Sequence, residues 1–91
     1  MSAKAEISWK RKTEDGLTLQ VYAHRVGREW TFHAREKRFD QWQQQAEPPI
    51  EDWLELLDGV RRRIGRGFLR PEEEVNVKKK ILDRFPEAEI N

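Results

Sequence analysis

Residues 7–37 read ISWKRKTEDGLTLQVYAHRVGREWTFHAREK, and the alternation in this stretch decides the fold. Ile7 and Trp9, then Leu17, Leu19, Val21 and Ala23, then Trp30, Phe32 and Ala34 recur at a period of two, the spacing of half-buried strands. Three antiparallel strands are expected, at about 5–12, 17–26 and 29–38. The turns fix their register. Val26-Gly27-Arg28-Glu29 suits a two-residue hairpin with Gly27 at positive φ in a type II′ turn, which sets Ala23 opposite Phe32 and Val21 opposite Ala34. A two-residue Asp15-Gly16 turn in the first hairpin would send Ile7 and Trp9 to the wrong face, because a one-residue slip inverts a strand. A three-residue loop Glu14-Asp15-Gly16, ending in a G1 bulge, pairs Trp9 with Val21 and Arg11 with Leu19. All three apolar stripes then share one side.

Downstream the period changes. Residues 39–48 hold Phe39, Trp42, the run Gln43-Gln44-Gln45 and the start of Pro48-Pro49, a composition expected of a linker, with one helical turn able to place Phe39 and Trp42 at the core edge. A helix is expected at about 49–65, with Pro49 in its first turn, Glu51 and Asp52 against its positive end, and an apolar stripe of Ile50, Trp53, Leu54, Leu57, Val60 and Ile64. A second is expected at about 71–85, from Pro71 to just before Pro86, with the stripe Val75, the Lys78 stem, Ile81, Leu82 and Phe85. Residues 86–91 read as a frayed tail. The expectation is an α+β fold of order β-β-β-α-α, a three-stranded meander covered on one face by two C-terminal helices, in a single domain over residues 1–91.

Composition bounds the function. Eighteen Lys and Arg face 17 Asp and Glu, so the net charge of +1 gives no global attraction to polyanions. That balance conceals a division. Residues 1–38 carry nine Lys/Arg and five Asp/Glu, whereas residues 39–91 carry nine and twelve. With 38% charged residues the core is lean, and loss of Trp9, Phe32, Trp53 or Leu57 is expected to unfold the chain. There is no apolar run of membrane-spanning length and no apolar leader, so a soluble cytoplasmic protein with no membrane partner is expected. The absence of cysteine excludes disulfides and thiolate zinc sites.

No phosphate-loop, dinucleotide, zinc-protease or serine-hydrolase motif occurs, so no catalytic residue, cofactor or small-molecule site is expected, and the chain reads as a non-enzymatic binding module. His24 and His33 are the only histidines, too few to close a metal site. In the derived register they lie on the polar face, His24 opposite Thr31 and His33 opposite Tyr22. That face also presents Lys10, Lys12, Thr18, Gln20, Arg35 and Lys37, and is expected to be basic and free of carboxylates. Lys and Arg there suit phosphates, Gln and His suit base edges, and Tyr22 suits stacking on an unpaired base. A second basic feature lies between the helices, where Arg62, Arg63 and Arg66 belong to five arginines in residues 61–70 with no carboxylate. Both features also have purely structural readings: one wet face is normal for an antiparallel sheet, and Asp58 and Glu72 to Glu74 can pair the arginines. DNA or RNA is the first partner considered, bound by Lys10, Lys12, Gln20, Tyr22, His24, His33, Arg35, Arg62, Arg63 and Arg66. The alternative is protein interaction or homodimerisation through the aromatic side chains Trp30, Trp42 and Phe68.

Overall fold

The structure is a computed structural model that describes residues 6–37 and 40–90. Its elements are β1 (Glu6–Lys12), β2 (Thr18–Val26), β3 (Glu29–Arg35), β4 (Gln43–Gln45), α1 (Ile50–Gly65) and α2 (Pro71–Arg84). An antiparallel sheet is thus followed by two helices, an α+β fold. The chain divides into two compact units, Met1–Pro48 and Pro49–Asn91, which hold the sheet and the helices respectively.

The sheet runs β1-β2-β3-β4, and its registers are those derived from the turns: Trp9 pairs with Val21, Arg11 with Leu19, Ala23 with Phe32, and Val21 with Ala34. In the first hairpin Gly16 N–H donates to Thr13 O at 3.0 Å and Gly16 has φ +85, the geometry of a three-residue loop with a G1 bulge. In the second, Gly27 has φ +64 and Arg28 does not share the positive φ that a type I′ turn would require. Ile7, Val21, Ala23, Trp30, Phe32 and Ala34 are all buried, and Trp9 meets Phe32 edge-on with centroids 6.1 Å apart.

Several expectations need correction. Leu17 is a turn residue and is 46% exposed, because its carbonyl accepts from Thr13 N–H at 2.8 Å and its own N–H donates to Thr13 Oγ1 at 3.2 Å. β3 ends at Arg35, short of residue 38. The expected start at residue 5, residue 38 and Phe39 lie outside the described residues. Gln43–Gln45, read as linker, form the short strand β4, which pairs with β3 through Phe32↔Gln45, His33↔Gln44 and Ala34↔Gln43. Backbone pairing makes this strand, and side-chain composition gives little notice of it.

In the helical unit, Pro49 is the N-cap of α1, and its carbonyl accepts from Asp52 N–H at 3.0 Å. The buried face is Asp52, Trp53, Leu56, Leu57, Gly59 and Val60, so Leu56 takes the place assigned to Leu54, which is 41% exposed. Residues 53, 54 and 57 satisfy the helical spacing as well as 53, 56 and 57 do, and periodicity alone cannot choose between them. In α2 the buried residues are Val77 and Ile81, whereas Val75 and Leu82 are exposed. α1 closes with paired hydrogen bonds, Phe68 N–H to Arg63 O at 2.8 Å and Gly67 N–H to Ile64 O at 3.0 Å, a Schellman ending. Arg61 Nε then donates to Glu74 Oε2 at 2.9 Å and joins the two helices.

Candidate nucleic-acid interface

Residues paired across a sheet place their side chains on the same face. Ser8↔Tyr22↔His33↔Gln44 therefore forms one row, Lys10↔Gln20↔Arg35 a second and Glu6↔His24↔Thr31 a third, all on the side opposite the buried stripe. The face does hold a carboxylate, contrary to expectation, since Glu6 Oε2 lies 3.9 Å from His24 Nδ1. The alternation through Lys12, Lys10 and Ser8 leads directly to Glu6, so that signal was present in the sequence.

The centre of the face is aromatic. Tyr22 and His33 stack with centroids 4.7 Å apart and planes 13° from parallel. Trp42, expected at the core edge, instead meets Tyr22 edge-to-face at 4.7 Å and is 37% exposed. The Arg35 guanidinium lies 4.1 Å from the Trp42 ring centroid, the geometry of a cation–π contact. Arg35 is itself held, because Nε donates to Gln20 Oε1 at 2.7 Å and Nη1 to Asp40 O at 3.4 Å. Asp40 is itself bonded to Lys37. Its N–H donates to Lys37 O at 3.0 Å, and its carboxylate accepts from Lys37 N–H at 3.1 Å.

Beside this cluster an open trough of about 550 Å³ is lined by Glu6, Ser8, Trp9, Lys10, Gln20, Val21, Tyr22 and Trp42. Its origin is local. Ser8 is a small side chain between two long ones on β1 and stands opposite Tyr22, so the sheet surface dips there. Among the described residues no ion pair engages the ammonium groups of Lys10, Lys12 or Lys37, and all three side chains are exposed.

Hydrogen bonding also sets the His33 tautomer. The Thr31 hydroxyl donates to His24 O at 3.3 Å, so at 3.2 Å His33 Nε2 is the donor and Thr31 Oγ1 the acceptor. Burial lowers the His33 pKa below 6.5, and the neighbouring His24 lowers it further against an opposing pull from Glu6. Among the described residues, no group of three or more His, Asp or Glu side chains is placed to hold a metal ion. No helix described is long and apolar enough to cross a membrane.

No protein-family model, curated protein or solved structure matches the chain.

The remaining candidates lie elsewhere. Arg62 pairs with Asp58 one turn earlier in α1, Arg63 is half-buried, and Arg66 is the exposed C-cap residue. The Glu74 carboxyl is held below the usual carboxylate range by hydrogen bonds from Arg61 and then Lys78. Local carboxylates thus meet Arg61 and Arg62. Of the aromatic candidates, Trp30 is buried at 7% exposure, Trp42 belongs to the polar face, and Phe68 is 63% exposed. Sequence reasoning missed Glu6, Ser8 and Gln44 as members of this face, and read Trp42 as a core-edge residue or an exposed anchor for a protein partner, not as part of it.

Proposed function

We propose that this protein is a non-enzymatic module that binds single-stranded nucleic acid on the polar face of its sheet. The observation carrying this reading is the arrangement of Tyr22, His33 and Trp42 beside a trough flanked by Lys10, with Lys12 on the same face. Stacking platforms bordered by cations are the general solution for single strands, because every base has a π-face and every nucleotide a phosphate. Aromatic side chains on a strand need splayed bases, which a stacked duplex does not offer, so single strands are favoured over double. Arg62, Arg63 and Arg66 belong to the helical unit and are not needed for this reading.

A titration of labelled single- and double-stranded oligonucleotides at two salt concentrations, followed by amide shift mapping, tests it. Binding of single strands at low salt with shifts at Lys10, Gln20, Tyr22, His33 and Arg35 is the expected result. Absence of binding at low salt refutes it. The exposure of Phe68 favours a second reading, a protein partner at the turn between α1 and α2. That reading predicts shifts around Phe68 and affinity little affected by salt.

A further inference from the structure

We propose that the trough along β1 and β2 is a subsite for one unpaired guanine, with its Watson–Crick edge at Glu6, its ring against Tyr22 and Trp42, and its phosphate at Lys10. This rests on the single-strand reading above and assigns the base that its central hollow takes.

The trough is polarised. Glu6 and Lys10 lie four residues apart on β1, about 13 Å along an extended strand, with opposite charges at the two ends. A nucleotide is polarised in the same sense, with hydrogen-bond donors on the base at one end and a dianionic or monoanionic phosphate at the other. The middle of the trough suits a planar ring. His33 covers one side of Tyr22 and the hollow opens toward Ser8 on β1, where the small side chain leaves depth for a ring. Its volume of about 550 Å³ lies within the range of sites that enclose small organic groups.

The carboxylate selects among bases. An ionised carboxylate accepts and never donates. Guanine presents N1–H and N2–H side by side on its Watson–Crick edge and can satisfy both oxygens. Adenine and cytosine place a ring-nitrogen acceptor beside their single amino group, which repels a carboxylate, and uracil flanks its one N–H with two carbonyls. The Glu6 side chain is 49% exposed, Glu6 is one of the residues lining the trough, and its Oε2 lies 3.9 Å from His24 Nδ1. Gln20, whose carbonyl is taken by Arg35, has its amide N–H groups to offer the sugar or phosphate near Lys10.

The test uses the full chain and eight-nucleotide uridine strands whose central position is G, A, C or U, followed by fluorescence anisotropy at low salt. The expected result is about tenfold or greater preference for the G strand, the discrimination typical of a two-bond contact to a base. Glu6→Gln, which sets an amide N–H₂ against the guanine donors, is expected to remove that preference. Ser8→Ile keeps a strand-compatible residue at an exposed position and fills the hollow, and it is expected to remove the preference with the fold retained by circular dichroism. Equal binding of all four strands overturns the guanine subsite and leaves the single-strand reading standing. Failure of every strand to bind overturns that reading itself. A G preference that survives both Glu6→Gln and Ser8→Ile also overturns the subsite.

Discussion

If the polar face meets a phosphate backbone, the salt dependence of binding counts the cations that do so. Three cations lie on this face, but the structure does not leave them equivalent. Arg35 is committed to Gln20, the Asp40 carbonyl and the Trp42 ring, whereas among the described residues no ion pair engages Lys10 and Lys12. Two phosphate contacts contribute a slope of about −1.4 in log K against log salt, at about −0.7 per contact for single strands. Raising salt from about 50 to about 200 mM then weakens binding roughly sevenfold. The double variant Lys10→Ala/Lys12→Ala leaves neither contact and a slope near zero over the same range. Anisotropy titrations at four salt concentrations measure both slopes, with Lys79→Ala on α2 as a control outside the sheet unit expected to leave the slope unchanged. A slope unaltered by removing both lysines would falsify phosphate engagement by this face, even if binding itself persisted.

Other perturbations test the parts from which this face is built. Leu56→Ala should cost about 2–5 kcal/mol in denaturant unfolding, whereas Leu54→Ala should stay within about 0.5 kcal/mol; equal costs would contradict the observed helix orientation. Gly27→Ala should destabilise by about 1–2 kcal/mol, a purely conformational cost, because a Cβ at this φ of +64 meets no atom within 4 Å; an unchanged midpoint would exclude the tight turn. His33 faces Tyr22, Thr31 and His24 with Glu6 beyond, and its lowered pKa means that the unfolded chain binds its proton first as pH falls. Stability should therefore decline as pH drops below about 6.5 toward the folded pKa, and His33→Gln should flatten that decline when urea midpoints are compared. Arg35→Lys keeps the charge but loses the planar contact with Trp42 and the bond from Nε. It should weaken binding by a similar factor at every salt concentration, and an unchanged affinity would refute the positioning role of Arg35.

The parts legible in the sequence were those governed by local rules. Turn chemistry at Glu14-Asp15-Gly16 and Val26-Gly27-Arg28-Glu29, combined with the requirement that three stripes agree, fixed the pairing of Trp9 with Val21 and of Ala23 with Phe32. Helix limits were legible for the same reason, since Pro71, three glutamates and the Gly-containing turn after Ile64 are local signals. What was not legible depends on partners distant in sequence. Leu54 and Leu56 fit the same period, so tertiary burial alone chooses between them. Val77 stands between Glu74 and Lys78, which pair with each other, and so a buried position lay in a charged setting. Gln43–Gln45 have no strand pattern because backbone pairing with Phe32 to Ala34 makes the strand.

Trp42 is the instructive error, because its placement changes what the face can do. An apolar ring in a segment after a sheet is expected to turn toward the core, where burying it would remove the most surface from water. Here it lies on the wet side, and several polar groups act together to keep it there. Asp40 bonds Lys37, the Asp40 carbonyl and Gln20 hold Arg35, and Arg35 lies over the ring that meets Tyr22. Gln20, Arg35 and Asp40 thus act as positioning groups for an aromatic wall, while Lys10 and Lys12 remain the cations available to a ligand. This division separates two properties that composition alone would merge. Affinity at a given salt follows the integrity of the Arg35–Trp42–Tyr22 contact, salt sensitivity follows the lysines, and a protein binding through Phe68 would respond to neither.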